Sequence, residues 1–570
     1  MIKEEIHKLI QDALKGLSIE ADNIVLEHPM EISHGDYSTN VALFLSKKLG
    51  INPKKLAENI VAELLKNKSS DIEKIETAGP GFINFYLLPE FFARTVGEIV
   101  ASPETYGKTT SRNGEKVLIE YTDPNAFKPL HVGHVMSNAV GEAISRIVEW
   151  SGATVTRMCY PSDIGLNTSK AVWAIINLKE EKPGADASLS EQVAFLGQAY
   201  VYGSTEYEKN PDAKKAIDDL NTVLYEKSDP EINAIYDWGR ALSLKHFEEI
   251  YKKVGTHFDR YIFESEVAAR GLFIVEEFLA KGVFEKSDGA IVFKGEQYGL
   301  HTRVFVNSKG LPTYEAKELG LNKEKFSAHD YDQSIVVTAN EQNDYFKVVL
   351  KALGFIDPQI ADKTRHISHG LLRTTEGKMS SRKGNAITGE SLIDDVEERV
   401  REKIKERGFS KSASDEIAEV VAIAAIKYTI LRQAIGKDVL FDPDQSLSFE
   451  GDSGPYLQYS ATRAGSVITK AHDEGIKETT EKRTDTVFEF EKKLHRFPEI
   501  VMRAEKEFAP HHIATYLIDL SAGFNSFYAN EKIVDKTNSD SPYKVALTRA
   551  FQITIKNGLY LLGIKSPEKM

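Results

Sequence analysis

The chain has 570 residues, 41% hydrophobic and 28% charged, with 38 Gly and 19 Pro. That length corresponds to roughly three or four domains, and the balance excludes a largely disordered, collagenous or fibrous chain. The single cysteine, Cys159, excludes an intrachain disulfide framework and a cysteine-rich zinc site, and suits a reducing compartment. Lys plus Arg number 72 against 85 Asp plus Glu, a net charge of −13, so a nucleic-acid partner requires a local basic surface. No apolar run reaches the ~18 residues of a membrane helix. The start, MIKEEIHKLIQDAL, lacks the apolar stretch of a secretory leader, so a cytoplasmic location and no membrane contact are expected.

Ile2, Ile6, Leu9, Ile10 and Leu14 recur at helical spacing and predict an amphipathic opening helix. Turn residues follow at 34–40, then helical runs in VALFLSKKLG and over 53–66. In GFINFYLL, Phe82, Asn84 and Tyr86 alternate with Ile83, Phe85 and Leu87, a strand pattern. These elements predict a small α+β domain over 1–112, bounded by the polar segment 109–116.

A second domain is expected over 113–410. KVLIEYT, at 116–122, has the composition of a buried parallel strand. A Pro-containing loop, a helical run ending at Gly152, and the strand TVTRMCY complete a βαβ unit. Residues 175–255 read as a polar, mostly helical insertion. AIVF, RVFVN and SIVVTAN, interleaved with helical segments, predict the second half of a parallel sheet. From 411 to 570 five long helical periods predict a helix bundle; they open at EIAEVV, SGPYLQ, FEFEKK, IATYLI and VALTRA.

Two motifs carry chemistry. In PNAFKPLHVGH, 124–134, His131 and His134 stand three apart, and Gly133 lets a ligand approach the backbone. The helix start beside them favours phosphate, and imidazoles there can donate to phosphate oxygens as charge builds up at phosphorus. The same pair also suits a plain helix cap. No further Cys or His cluster completes a zinc site. In GKMSSRKGN, 377–385, Lys378, Arg382 and Lys383 with the hydroxyls of Ser380 and Ser381 suit a phosphate-gripping loop, or a solvated basic one. The two motifs lie about 240 residues apart, in opposite halves of the expected sheet, and support one another.

This pair resembles the two signatures of class I aminoacyl-tRNA synthetases. AGPGFINFYL, IEYTDPNAFKPLHVGH, FDRYIFES, SGPYLQYSATRA and the final GLYLLGIKSPEKM resemble the arginyl-tRNA synthetase family over nearly the whole chain. The resemblance implies an α/β, Rossmann-like parallel-sheet catalytic core with a helical insertion, a small α+β N-terminal domain, and an all-α C-terminal helix bundle that binds the anticodon. It implies a two-step reaction. L-Arginine and ATP, accompanied by Mg²⁺ and with no tightly bound cofactor, give arginyl-adenylate and pyrophosphate; the arginyl group then passes to the terminal adenosine of tRNA(Arg).

By the same resemblance His131 and His134 contact the ATP phosphates and Gly133 lies against adenosine, while Lys378, Met379, Ser380, Ser381 and Arg382 form the second ATP-binding loop. Many class I enzymes have a second lysine where this chain has Ser381, and family members lacking it tend to have a lysine before the first signature. Lys128 matches that position and is expected to compensate. Glu120 and Asn125 would hold the amino and carboxylate ends of arginine, with Tyr314, Glu318 and Gln342 completing the site. The chain departs from the family's usual Leu-Arg-Ser after the first signature, with Val135, Met136 and Ser137. It also has Lys317 and Glu318 where Arg and Asp are usual. Tyr456, Tyr459 and Arg463 fall on one helix face and, with Met570, are expected to meet tRNA. Asn40 and Tyr86 are candidates for the tRNA elbow. A monomer without an editing domain is expected. A tRNA-binding relative without catalysis and a small-molecule adenylyltransferase are the alternatives; the intact His131, Gly133, His134 and Lys378 argue against the first, and the extra domains against the second.

Overall fold

The computed structural model describes all residues except 22, 185, 375–387, 482–485 and 569. Val117, Leu118 and Ile119 are fully buried, as a strand covered on both faces requires. Their strand, Lys116–Tyr121, is the middle of a five-stranded parallel sheet. Across the sheet the order is Thr364–His369, Gln333–Ala339, Lys116–Tyr121, Thr154–Cys159, Arg260–Tyr261. Chain order therefore runs outward in one direction from Lys116–Tyr121 and then restarts in the other at Gln333–Ala339. That reversal leaves a crevice at the carboxyl ends of these two strands, the place where open α/β sheets bind ligands.

The helix Val132–Trp150 follows the first strand and packs closely against it. A Cβ at Gly141 would stand 2.2 Å from Tyr121 Cγ, so only glycine lets the helix approach. Tyr121 is fully buried, and its hydroxyl donates to Glu142 at 2.6 Å.

The expected insertion, 175–255, contains the helices Leu189–Lys209, Pro211–Glu226 and Pro230–Val254, and the helix Leu166–Asn177 packs with them just before it. Ser188, Asn210 and Asp229 cap the three insertion helices through their side-chain oxygens. These helices share a core with Ala126 and Phe127 of the loop after the first strand.

One strand expectation is corrected. Ala290–Phe293 and Arg303–Val306 do not join the parallel sheet; with Glu285–Ser287 they form a separate antiparallel one. The cause is the Asp288-Gly289 pair, both at positive φ, which reverses the chain in a tight hairpin. Gln333–Ala339 does belong to the parallel sheet, and its outer neighbour is Thr364–His369.

By contacts the chain forms two compact units. One contains Met1–Tyr106, Arg463–Pro498 and Asp519–Ile555; the other contains Gly107–Thr462, Glu499–Ile518 and Lys556–Met570. In the first, an antiparallel sheet of Leu26–Glu27, Tyr37–Thr39, Phe82–Leu87 and Ile72–Ala78 packs with Ile2–Gly16 and Pro53–Leu64. The buried Asp36 ties this sheet to the helical part, accepting from Leu87 N at 2.8 Å and pairing with Lys492 at 3.1 Å. The third helical period beyond 410 is broken, into Glu489–Leu494 and Phe497–Glu507, because Pro498 has no N–H to continue the earlier turn. Among the described residues no helix is long and apolar enough to cross a membrane.

Gly141→Ala is expected to lower stability by about 1–3 kcal/mol, because the added methyl displaces Tyr121. A thermal melt followed by circular dichroism checks this; an unchanged melting temperature would contradict the close-packing argument.

Candidate active site

The segment between the first strand and its helix is held in an uncommon shape. Thr122, Asp123 and Phe127 all have positive φ, at 81°, 46° and 64°. Such backbone persists where the surroundings over-determine it, and here they do. Ser137 Oγ accepts from Thr122 N at 3.0 Å and donates to Val337 O at 2.8 Å, tying the loop to the neighbouring strand. Asp123 Oδ1 accepts from Tyr160 N at 2.7 Å. Asn125 is bridged to Ser162, and Phe127 N donates to Ser243 Oγ at 2.9 Å, from the insertion.

The loop delivers the chain to the N-terminus of Val132–Trp150, where His131 is the cap. His131 Nδ1 accepts from Gly133 N at 3.1 Å, and His134 Nδ1 accepts from His131 N at 2.9 Å. An accepting Nδ1 fixes the tautomer, so each ring carries its proton on Nε2 and can donate there. Both rings are held neutral. His134 is pushed down to about 3 by burial and by His131 and Lys128; His131 is lowered by burial and Lys128. Gly133 lies tight under this cap, since an added Cβ would stand 3.3 Å from His131 Nδ1. The cap and the phosphate-donor readings of this pair are therefore compatible, because they use different ring nitrogens.

The second motif, with Lys378, Met379, Ser380, Ser381 and Arg382, lies outside the described residues. The chain after it is fixed against the first motif: Gly389 N donates to Leu130 O at 2.8 Å, and Thr388 is bridged to His131.

The strand that leads to the loop before His131 also carries Glu120, the centre of a cluster of buried charge. Glu120 pairs with Lys325 at 2.5 Å, both fully buried. Glu264 pairs with Lys317, also buried, and the Lys317 ammonium sits 4.5 Å from the centre of the Tyr314 ring. The helices that bring these groups together, Glu264–Ala280 and Tyr314–Ala328, touch backbone to backbone at Gly271 and Gly320, where any Cβ would collide with the opposite chain. Glu318 accepts from Asn322 Nδ2 at 3.0 Å; burial and the charge of Glu120 push its carboxyl up to about 8. Asp123 is raised well above the usual carboxylate range by burial and Glu120.

Four carboxylates thus face two ammonium groups, an arrangement complementary to a cation. One buried polar atom beside it, Tyr160 Oη, makes no hydrogen bond. Buried polar groups are ordinarily satisfied, so the Tyr160 hydroxyl marks where a polar ligand fits.

Of the sequence-derived candidates, Glu120 and Glu318 act on one another in the buried cluster, while His131, Gly133 and His134 meet at the helix start with Lys128 near them and Asn125 in the loop before it. Gln342 ends the short turn Asn340–Gln342 directly after the strand Gln333–Ala339, and its neighbour Glu341 acts on His131. Tyr456, Tyr459 and Arg463 are half-buried on one face of Gly454–Asp473, clear of the fully buried Leu457, Ala461 and Ala464. Arg463 donates to Asn525 at 2.5 Å and lies over Tyr528. Met570 is half-buried. Tyr86 donates to Glu76 at 2.6 Å within its own sheet, and Asn40 is exposed. Sequence reasoning missed Asp123, Tyr160, Glu264 and Lys325. The first three stand in or beside quoted motifs, whereas Lys325 carried no signal beyond its place on a helix.

A doubly wound parallel sheet with an HVGH helix start at its switch point defines a class of protein. Residues 95–442 match the family described as "tRNA synthetases class I (R), catalytic domain", and the chain is a class I aminoacyl-tRNA synthetase. Residues 4–87 match "Arginyl tRNA synthetase N terminal domain" and residues 457–570 match "DALR anticodon binding domain". The arginine–tRNA ligase of Treponema denticola is 32% identical over the full length of both chains. That of Fusobacterium nucleatum is 32% identical over 94% of this chain and 93% of its own. The arginyl-tRNA synthetase of Thermus thermophilus superposes with a TM-score of 0.81 at 25% identity, covering all of both chains. The chain belongs to the arginyl-tRNA synthetase family.

Lys325→Met is expected to cost about 3–5 kcal/mol by leaving Glu120 buried without its partner, and the double change with Glu120→Gln to cost less. Urea denaturation of the three proteins checks this; equal losses in the single and double variants would contradict it.

Proposed function

We propose that the chain charges tRNA(Arg) with L-arginine in two steps at this site, with the catalytic core over 113–410 and the regions 1–112 and 411–570 serving tRNA. What carries the reading is the cluster of buried carboxylates around Glu120 with the unpaired Tyr160 hydroxyl, on the strand that leads to two neutral imidazoles at a helix start. Arginine carries two cations and one carboxylate, and the surplus of carboxylates over ammonium groups suits it. Glu318 and Asp123 face the guanidinium and ammonium ends, with Glu120 and Asn125 ordering the α-amino and carboxylate groups and Tyr314 and Gln342 bounding the site. The Lys317 ammonium, anchored by Glu264, sets the charge on the side of Tyr314.

In the first step an oxygen of the arginine carboxylate attacks the α-phosphorus of ATP, and the bond to pyrophosphate breaks. Negative charge grows on the phosphate oxygens as this happens. The Nε2–H groups of His131 and His134 donate to them, and the helix N-terminus contributes its unpaired N–H groups. Both imidazoles are neutral over the working range, so they act by hydrogen bonding and proton transfer is not required of them. Lys128 adds a positive charge on the phosphates in place of the lysine missing at Ser381. Lys378, Met379, Ser380, Ser381 and Arg382 supply the second grip. Mg²⁺ arrives with ATP, held by phosphate oxygens as part of the substrate. In the second step a hydroxyl of the terminal tRNA adenosine attacks the arginyl carbonyl and AMP leaves. Positioning supplies most of the rate in both steps. Tyr456, Tyr459 and Arg463 offer two ring faces and a guanidinium to unstacked anticodon bases, with Met570 at the chain end. The enzyme acts as a cytoplasmic monomer in this reading.

Lys128→Ala is expected to lower ATP–pyrophosphate exchange by about 10²-fold while leaving tRNA affinity unchanged; exchange at the wild-type rate would contradict the compensation. Glu318 must ionise to receive a guanidinium, so with a carboxyl near 8 arginine should bind about tenfold more tightly at pH 9 than at pH 7. Titration calorimetry at pH 7 in buffers of differing ionisation enthalpy should show about one proton released per arginine bound. Release that persists undiminished in Glu318→Gln would contradict the assignment.

A further inference from the structure

One face of the insertion helix Leu189–Lys209 lies over the first motif. Gly197 and Tyr200 are three apart and share that face. A Cβ at Gly197 would stand 3.7 Å from Pro129 Cγ, so the helix backbone rests directly against the loop. Tyr200 packs on the core containing Ala126, Phe127 and Leu196. Its ring lies under the Lys128 ammonium, 5.4 Å from the ring centre. Among the described residues no carboxylate pairs with Lys128, and the Tyr200 ring is what its ammonium meets. Tyr200 is also near enough to Tyr314 to act on it electrostatically.

A lysine arm has four carbons and is costly to order. A carboxylate could order it, but would then compete with phosphate for the same charge. An aromatic face attracts the ammonium more weakly and leaves its outward N–H groups free. We propose that Tyr200 is a positioning residue for ATP activation: its ring holds the Lys128 ammonium ready beside His131 and His134, so that the phosphates meet an arm already in place. The inference rests on the reading of Lys128 given above. It gives the helical insertion a part in the chemistry, since the charge on the loop depends on a side chain from the insertion.

The test is tRNA-supported ATP–pyrophosphate exchange as a function of ATP, for Tyr200→Leu and Tyr200→Phe, each with Lys128 present and with Lys128→Ala. With Lys128 present, Tyr200→Leu should lose about three- to tenfold in kcat/KM for ATP, and Tyr200→Phe, which keeps the ring, should stay within about twofold of wild type. With Lys128→Ala, the leucine change should cost nothing further. A leucine loss of equal size in both backgrounds, or a phenylalanine variant as poor as the leucine one, would overturn the inference. Lys128→Ala with undiminished exchange would overturn the underlying reading of Lys128. Melting temperature and tRNA affinity of every variant separate these outcomes from general damage to the helix.

Discussion

His131 and His134 each use one ring nitrogen on the helix they begin and leave the other for a ligand. A helix start has N–H groups to satisfy, and a site for phosphate has donors to present. In the reading proposed above the same two side chains serve both needs, and the cap bonds fix their tautomers without any separate orienting group. The requirement extends outward. Gly133 must lie flat beneath the cap, Gly141 must let the helix settle on Tyr121, and the loop must enter through three residues of positive φ. The bonds from Ser137, Ser162 and Ser243 hold that loop from the sheet and from the insertion.

The cluster of buried charge follows a different logic. Buried charges are expensive unless paired, yet among the described residues Glu120, Asp123, Glu264 and Glu318 share two ammonium groups, Lys317 and Lys325. Burial and the excess of carboxylates raise both Asp123 and Glu318, and Glu318 gives up its proton when a cation binds. Selectivity for a guanidinium over a neutral amide then comes from leaving buried carboxylates uncompensated by the wrong ligand. The glycine contact between two helices allows Glu264 and Lys317 to meet.

Much of this was legible in the sequence because the deciding signals are local. The HVGH spacing, the apolar run before it and the Gly152 stop locate a strand, a glycine-containing turn and a helix within about 40 residues. The sheet order was not legible, since AIVF and SIVVTAN look alike by composition and only the Asp288-Gly289 turn separates the hairpin from the core. Thr364–His369 was missed for the opposite reason: two histidines, an arginine and a serine give it little apolar pattern, although it forms a sheet edge. Pro498, which breaks a helical period, was a readable signal left unread. In the site, residues inside motifs could be named, whereas Lys325 and Tyr200 depend on which helix faces turn toward the loop. That is decided by packing across more than 70 residues of sequence.

The division of labour within each imidazole is open to one direct measurement. Asn places an acceptor where the His Nδ1 stands but has nothing at Nε2, so His134→Asn keeps the helix cap and removes the donor. Its melting temperature and its ATP–pyrophosphate exchange rate should be measured side by side. The expected result is a protein as stable as the wild type whose exchange falls about 10²- to 10³-fold. Exchange near the wild-type rate in a stable variant would show that the outward nitrogen of His134 is not a donor to the reaction.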